Sequence, residues 1–335
     1  MPQRFAVIGL DHRHVYEITA YLIEAGMECA GYWPTTSDQG VLDGFRKRFP
    51  DLREVADKDA LLDDPSIDVI ASASIPCDRA PLAIAAMRKG KDVLVDKPGI
   101  TDFAQMAEVE KAVAETGRIF SVCFSERFQT PSTAQALELV RQGAIGRVIQ
   151  TVGLGPHRLN RALRPDWFWD AKYYGGVLVD IASHQIDQFL IFTGSTTAEI
   201  GTASVGSYAV GGGFEDFGEV TLRGDRGTGY IRVDWFTADG LPTWGDGRLT
   251  ILGTEGTIEL RKYVDIEGRP GGEHLFLVNN QGTQYINCEG RPLEYFRAFA
   301  HDVAHRTETA MPQAHCLTVC RLALEAQAQA VRLRA

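Results

Sequence analysis

The chain has 335 residues, 44% hydrophobic and 23% charged, and its 34 basic and 44 acidic side chains leave a formal net charge of −10. That length suits two domains with enough apolar content for two cores, and the composition excludes a disordered chain. The acidic balance argues against a nucleic-acid or anionic-membrane surface and leaves a small molecule as the expected partner. Residues 5–8 form a short apolar strand run, 15–25 carry a helical period, 28–32 a second strand and 40–49 a second helix. The alternation repeats with strand 68–71, helix 80–89 closed by Gly90, and strand 92–95. Thr101 and Asp102 cap a helix running to 115, and 119–122 is a further strand. Strands buried on both faces and joined by helices predict a doubly wound parallel sheet over 1–124, with a ligand crevice at the carboxyl ends of the strands.

After helix 131–142 and strand 148–153 the texture changes. Between 197 and 287 alternating runs such as Gly218-Glu219-Val220-Thr221-Leu222 are separated by Gly and Asp turns, which predicts an antiparallel sheet. Helices 293–306 and 313–332 follow, expected to cover a domain face or return to the first domain. With no repeat or low-complexity linker, domains 1–124 and 125–335 are expected to pack with a cleft between them. The six cysteines, Cys29, Cys77, Cys123, Cys288, Cys316 and Cys320, contain no C-x-x-C pair and suggest neither a disulfide framework nor structural zinc. No apolar run reaches the roughly 18 residues of a membrane span, and a strand follows the first residues directly, so a cytoplasmic location is expected.

Several places invite chemistry. The first strand ends in Gly9-Leu10-Asp11-His12-Arg13-His14, where a dinucleotide domain carries G-x-G-x-x-G, and only the first glycine is present. Asp11 adds bulk and a like charge where a pyrophosphate would approach. Arg13, with His12 or His14 if protonated, offsets that charge, and the helix opening at His14 is expected to supply unpaired N–H donors. A ribose-reading acid is expected at the end of the second strand, yet Gly31-Tyr32-Trp33-Pro34-Thr35-Thr36-Ser37 has no carboxylate. The hydroxyls of Thr35, Thr36 or Ser37 suit a ribose or a 2′-phosphate, so NAD and NADP both stay open, and Trp33 either flanks the adenine or packs under the loop. Ser74 and Pro76, after the third strand, are further candidate cofactor contacts.

Asp96-Lys97-Pro98 puts Lys97 at the carboxyl edge of the sheet, where it can donate to a substrate oxygen or move a proton. Asp180 and His184 stand one helical turn apart in a helix opened by Gly175 and Gly176. Val177, Ile181 and Ile186 are expected to face a core, with Asp180, His184 and Asp187 on another face. Histidine is the commonest general base and an aspartate can fix its tautomer or bind substrate, the alternative being a surface ion pair. His157, Arg158, Arg161 and Trp167 offer groups for a polyhydroxylated ligand, or belong to a solvated loop.

A strand entering G-x-x-x-x-H, a strand ending in D-K-P, and W-F-W-D followed by G-G-x-x-x-D-x-x-x-H-x-x-D together resemble the Gfo/Idh/MocA family of glucose-fructose oxidoreductase and inositol dehydrogenase relatives, along essentially the whole chain. The resemblance implies an N-terminal Rossmann domain binding NAD or NADP. It also implies an α+β C-terminal domain whose large, mostly antiparallel open sheet often builds homodimers or homotetramers. It aligns Asp96, Lys97 and Pro98 with the family's E-K-P, and Gly176, Asp180 and His184 with its second motif. That implies a substrate-binding acid, a catalytic histidine and an assisting lysine, in an oxidoreductase acting on a hydroxyl carbon of a sugar, polyol or related acid. Asp96 in place of Glu shortens the arm beside Lys97 by one methylene, so its contact there is expected to be lost or bridged by water.

The same architecture supports tightly held NAD used for elimination or hydrolysis without net redox change, and ligand-sensing regulators, against which the intact Lys97 and His184 weigh. His12-x-His14 also resembles the metal pair of a hydrolase barrel, but 197–287 lack the strand-helix alternation of a barrel, and no metal is expected.

Overall fold

The computed structural model describes residues 2–333. Its first third runs β1 (Arg4–Leu10), α1 (His14–Glu24), β2 (Glu28–Trp33), α2 (Gln39–Arg48), α3 (Lys58–Asp63), β3 (Val69–Ala73), α4 (Pro76–Arg88), β4 (Asp92–Asp96), α5 (Phe103–Thr116) and β5 (Phe120–Cys123). It continues with α6 (Ser125–Phe128), α7 (Pro131–Arg141), β6 (Val148–Pro156), two short 3-10 turns, α8 (Ala171–Tyr174), α9 (Val177–Asp180) and α10 (Ala182–Thr193). Then come β7 (Ala198–Gly206), β8 (Phe217–Gly224), β9 (Thr228–Asp234), β10 (Arg248–Gly253), β11 (Gly256–Arg261), β12 (His274–Asn279), β13 (Gly282–Asn287), α11 (Tyr295–His305), α12 (Gln313–Gln329) and β14 (Val331–Arg332). The chain divides into two units. The first holds the residues through Cys123 with Pro165–Gly175 and Glu294–Cys320, and the second holds Phe124–Arg164, Gly176–Leu293 and the remainder.

In the first unit, five parallel strands lie in the order β2-β1-β3-β4-β5. β3 and β4 are buried at every position, as expected of Val- and Ala-rich runs covered by helices on both faces. The order reverses between β1 and β3, which makes the carboxyl ends of those strands the switch point where a ligand crevice forms. Asp102 caps α5 by accepting from the Gln105 N–H, as the sequence predicts. α4 begins at Pro76, four residues before the expected 80, because proline's fixed φ suits the first helical position. α11 and the first half of α12, through Cys320, belong to this unit. Tyr295 bonds Ser121 (2.6 Å), and the Gln313 amide bonds both N–H and C=O of Phe120 (2.9 Å each), satisfying the edge strand.

The second unit is built on nine strands in the order β13-β12-β11-β10-β6-β9-β8-β7-β14, parallel at β6/β9 and β7/β14 and antiparallel elsewhere. One face is buried by alternate residues, Val220 and Leu222 of β8 and Ile231 and Val233 of β9, with α10 lying on β6 and β9. A Cβ at Gly153 would stand 2.7 Å from Gln185, and one at Gly229 2.9 Å from Phe189, so these glycines set how closely α10 approaches. A second core joins Ala136 of α7 and Phe192 to Leu249, Ile251, Ile258 and Leu275 of the sheet. Residues 331–332, expected to end the last helix, instead pair with Ser204 and Val205 as an edge strand. Among the described residues no helix is long and apolar enough to cross a membrane.

Candidate active site

The first loop is built around a close backbone approach. Gly9 has φ +93°, and a Cβ there would stand 2.5 Å from the Ser74 Cβ and 2.9 Å from the Ser72 Oγ. Only glycine lets the ends of β1 and β3 meet this way. The loop differs from expectation in its donors. The Val15 and Tyr16 N–H groups bond the carbonyls of His12 and Arg13 (3.1 Å each), and the His14 N–H faces His12 Nδ1 at 3.4 Å, so these are used within the loop rather than left open. The exposed Arg13 remains the cation at the helix start.

Asp11 turns away from this turn. Its Oδ1 accepts from the Ser37 N–H in the loop after β2, and Thr36 Oγ1 donates to the Leu10 carbonyl at 2.6 Å. Trp33 is half-buried with the Lys58 ammonium 5.5 Å above its ring, while Thr35 is exposed.

Asp96, 1% exposed, organises the crevice edge. Its Oδ1 accepts from His14 Nδ1 and from the Lys97 N–H, both at 2.8 Å, and its Oδ2 lies 3.3 Å from His12 Nδ1 and 3.2 Å from Arg79. The shorter side chain thus reaches the backbone N–H of Lys97 directly. Burial alone would raise the Asp96 carboxyl, but His14 and Arg79 outweigh it and hold it well below the usual range. Burial and the neighbouring His14 push His12 down to about 4 against the pull of Asp96, so His12 is neutral at pH 7 and does not offset Asp11.

Three donor atoms of His12, His14 and Asp96 lie within 4.8 Å of one another, a grouping with the make-up of a cation site. The carboxylate is already matched by Arg79, which a divalent cation would have to displace or repel.

Arg79, absent from the sequence-derived candidates, is 1% exposed. It bonds the Ser74 carbonyl (2.8 Å) and the carbonyls of Lys97 and Pro98, tying the end of β3 to the cis Lys97–Pro98 turn. Nothing in the first turns of α4 distinguishes such an arginine from a solvated one. Lys97 is buried, with Ser74 and Pro76 beside the same crevice edge. These residues suit a dinucleotide: a Cβ-free turn at Gly9, Arg13 at the helix start, the Asp11 charge turned aside and the Asp96 charge matched.

In the second unit the glycine-opened helix breaks once, at Ile181 (φ −101°, ψ −48°), so Asp180 closes α9 and His184 stands in the first turn of α10. His184 is 2% exposed, which removes the surface ion-pair alternative. Asp187, one turn further along α10, is fully buried and accepts two bonds from Arg127 at 2.6 and 2.7 Å.

A polar network that the sequence did not suggest underlies α10. Lys262 donates to Glu126 Oε2 (2.6 Å) and Gln188 Oε1 (2.9 Å). Gln188 donates to the His184 carbonyl, and Gln185 to Glu126, both at 3.0 Å. Burial would raise Glu126, but the Lys262 ammonium and then His184 outweigh it, bringing the carboxyl down to about 2.

His157 lies edge-on to Trp235 and Trp244 (5.2 and 4.6 Å), and Arg158 spends its guanidinium on the carbonyls of Ala238 and Leu241. Arg161 sits exposed on a 3-10 turn, and Trp167 belongs to the first unit beside Phe168. Lys97 thus falls in the first unit, and Asp180 and His184 in the second.

The oxidoreductase family with an NAD-binding Rossmann fold, GFO/IDH/MocA, matches residues 4–124, and its C-terminal domain matches 133–259. The chain belongs to this family. A crystal structure of a protein from Erwinia carotovora atroseptica SCRI1043 is 47% identical, with a TM-score of 0.95, covering 99% of this chain and all of that one. The scyllo-inositol 2-dehydrogenase (NAD(+)) of Bacillus subtilis is 26% identical over 74% of this chain and 69% of its own length. The levoglucosan dehydrogenase of Pseudarthrobacter phenanthrenivorans is 28% identical over 78% and 65%. The chain thus spans about two thirds of these curated relatives. It is an NAD(P)-dependent oxidoreductase of the GFO/IDH/MocA family, with its dinucleotide domain in the N-terminal third.

Proposed function

We propose that this GFO/IDH/MocA protein oxidises a hydroxyl carbon of a sugar, polyol or related acid, with His184 as the general base. The observation that carries the reading is His184 itself: a buried imidazole at the start of α10, one turn after Asp180, with its backbone carbonyl held by the Lys262–Gln188 network. A histidine so fixed can take a hydroxyl proton without reorganising. Asp180 positions the substrate and tunes the imidazole, and Lys97 steadies negative charge developing on the substrate oxygen. Gly9, Arg13, Ser74, Asp96 and Lys97 hold the dinucleotide, which when bound supplies the hydride acceptor. The relatives acting on scyllo-inositol and levoglucosan support a polyhydroxylated substrate, and the exposed Arg161 suits one.

The test is a panel of inositols, aldoses, anhydrosugars and sugar acids with NAD and with NADP, read by reduced-nicotinamide fluorescence. Turnover of at least one supports the reading. Conversion of a substrate without free reduced nicotinamide would favour redox-neutral chemistry, and dinucleotide binding with no turnover across the panel a sensor.

A further inference from the structure

The end of β2 and the residues through Ser37 lack the acid that a doubly wound domain uses to hold the adenosine ribose, yet a carboxylate stands there. Asp11, sited where the second glycine of a phosphate loop belongs, sends its side chain across the end of β1 to accept the Ser37 N–H. A second bond, from Thr36 Oγ1 to the Leu10 carbonyl (2.6 Å), stitches the same two loops together, so Asp11 is held rather than swinging. We infer that Asp11 supplies, from the first loop, the ribose-binding carboxylate missing from β2, and so makes the protein select NAD(H) over NADP(H). This rests on the dinucleotide reading above.

The chemistry follows from the atoms. The bond to Ser37 uses Oδ1, and the other oxygen is the one a ribose diol would meet as a double donor. A 2′-phosphate at the same place would bring about two negative charges against a fixed carboxylate, a repulsive element that sets specificity. Asp38 adds a second acid there. Its carboxylate is engaged as the cap of α2, bonding the Val41 N–H at 3.2 Å. Cations also stand nearby, Lys58 with its ammonium 5.5 Å over the Trp33 ring, Arg53 beside Gly31 and the exposed Arg13 at the helix start. The displaced acid also accounts for the degenerate glycine motif: Asp11 at the second position reads as a relocated ribose contact, with its charge kept clear of the pyrophosphate.

Titration calorimetry of the cofactor-stripped protein with NADH and NADPH tests the inference. The wild type is expected to bind NADH at least about tenfold more tightly than NADPH. Asp11→Asn keeps an acceptor for Ser37 and removes the charge, and is expected to narrow that ratio several-fold, chiefly by gaining NADPH affinity. Asp11→Glu, which keeps the charge, retains the NADH preference, and Lys58→Met retains it too. Equal or tighter NADPH binding by the wild type, or a ratio unchanged in Asp11→Asn, overturns the inference and leaves the dinucleotide reading standing. Binding of neither nucleotide overturns both.

Discussion

Asp96 Oδ1 accepts from His14 Nδ1 at 2.8 Å, and through this contact the end of β4 holds the loop that follows β1. The same carboxylate pairs with the buried Arg79 at 3.2 Å. Replacing it by Asn leaves a buried guanidinium without its counter-charge, a loss of about 3–5 kcal/mol for a buried pair. Urea unfolding of Asp96→Asn is expected to show a loss of that order, with dinucleotide affinity weakened because the first loop loses its anchor. A stability within about 0.5 kcal/mol of wild type would mean that Asp96 does not bear the pair.

Gly9→Ala places a methyl group 2.5 Å from the Ser74 Cβ at a φ of +93°. A side chain in that backbone region costs about 1–3 kcal/mol before the clash is counted. The variant is expected to unfold at lower denaturant and to bind dinucleotide at least about tenfold more weakly, measured by calorimetry. Unchanged affinity would place the phosphates away from this turn.

The Glu126–Lys262 pair predicts an acid-sensitive step. Glu126 titrates at about 2 in the fold against an ordinary value of 4.5. Its stabilisation is complete above pH 4.5 and is lost as pH falls towards 2, when the unfolded chain takes up the proton first. Linkage puts it at roughly 3 kcal/mol. Removing the partner in Lys262→Met is expected to flatten that part of the pH–stability curve and to destabilise the protein at pH 7. The double variant Glu126→Gln/Lys262→Met should cost less than the two single changes summed. Additive losses would show that the two groups are not coupled.

His12 gives a separate window. Lowered to about 4 from 6.5, it favours folding while neutral, so its contribution is present above pH 6.5 and is lost as pH falls through 6.5 to 4. His12→Asn is expected to remove the slope of stability with pH in that range while leaving the Glu126 window below it. An unchanged slope between pH 4 and 6.5 would place the titration on another group.

The parallel sheet was legible because its strands are continuous apolar runs separated by periodic helices and marked by caps such as Asp102. The antiparallel sheet was legible from its alternation. What escaped was short or tertiary. α3 has only six residues, too few for a period, and the pairing of Val331 with Ser204 has no local signal. At the candidate site, Asp180, His184 and Lys97 stand in motifs whose spacing is readable. Arg79, Glu126 and Lys262 could not be found that way, since each is a charged residue whose ionic partner lies far along the chain, Asp96 for Arg79 and Glu126 and Lys262 for each other. The pairing of Asp187 with Arg127 was hidden in the same way, the two lying 60 residues apart. Asp11 looked like a defect in a glycine motif because its partner Ser37 belongs to another loop.

In His184→Ala, dinucleotide affinity measured by calorimetry is expected to stay within about threefold of wild type, while turnover on the best substrate of the polyol and sugar panel falls by roughly two to four orders of magnitude. Turnover equal to that of the wild type, with the variant folded and binding dinucleotide normally, would contradict the assignment of His184 as the base.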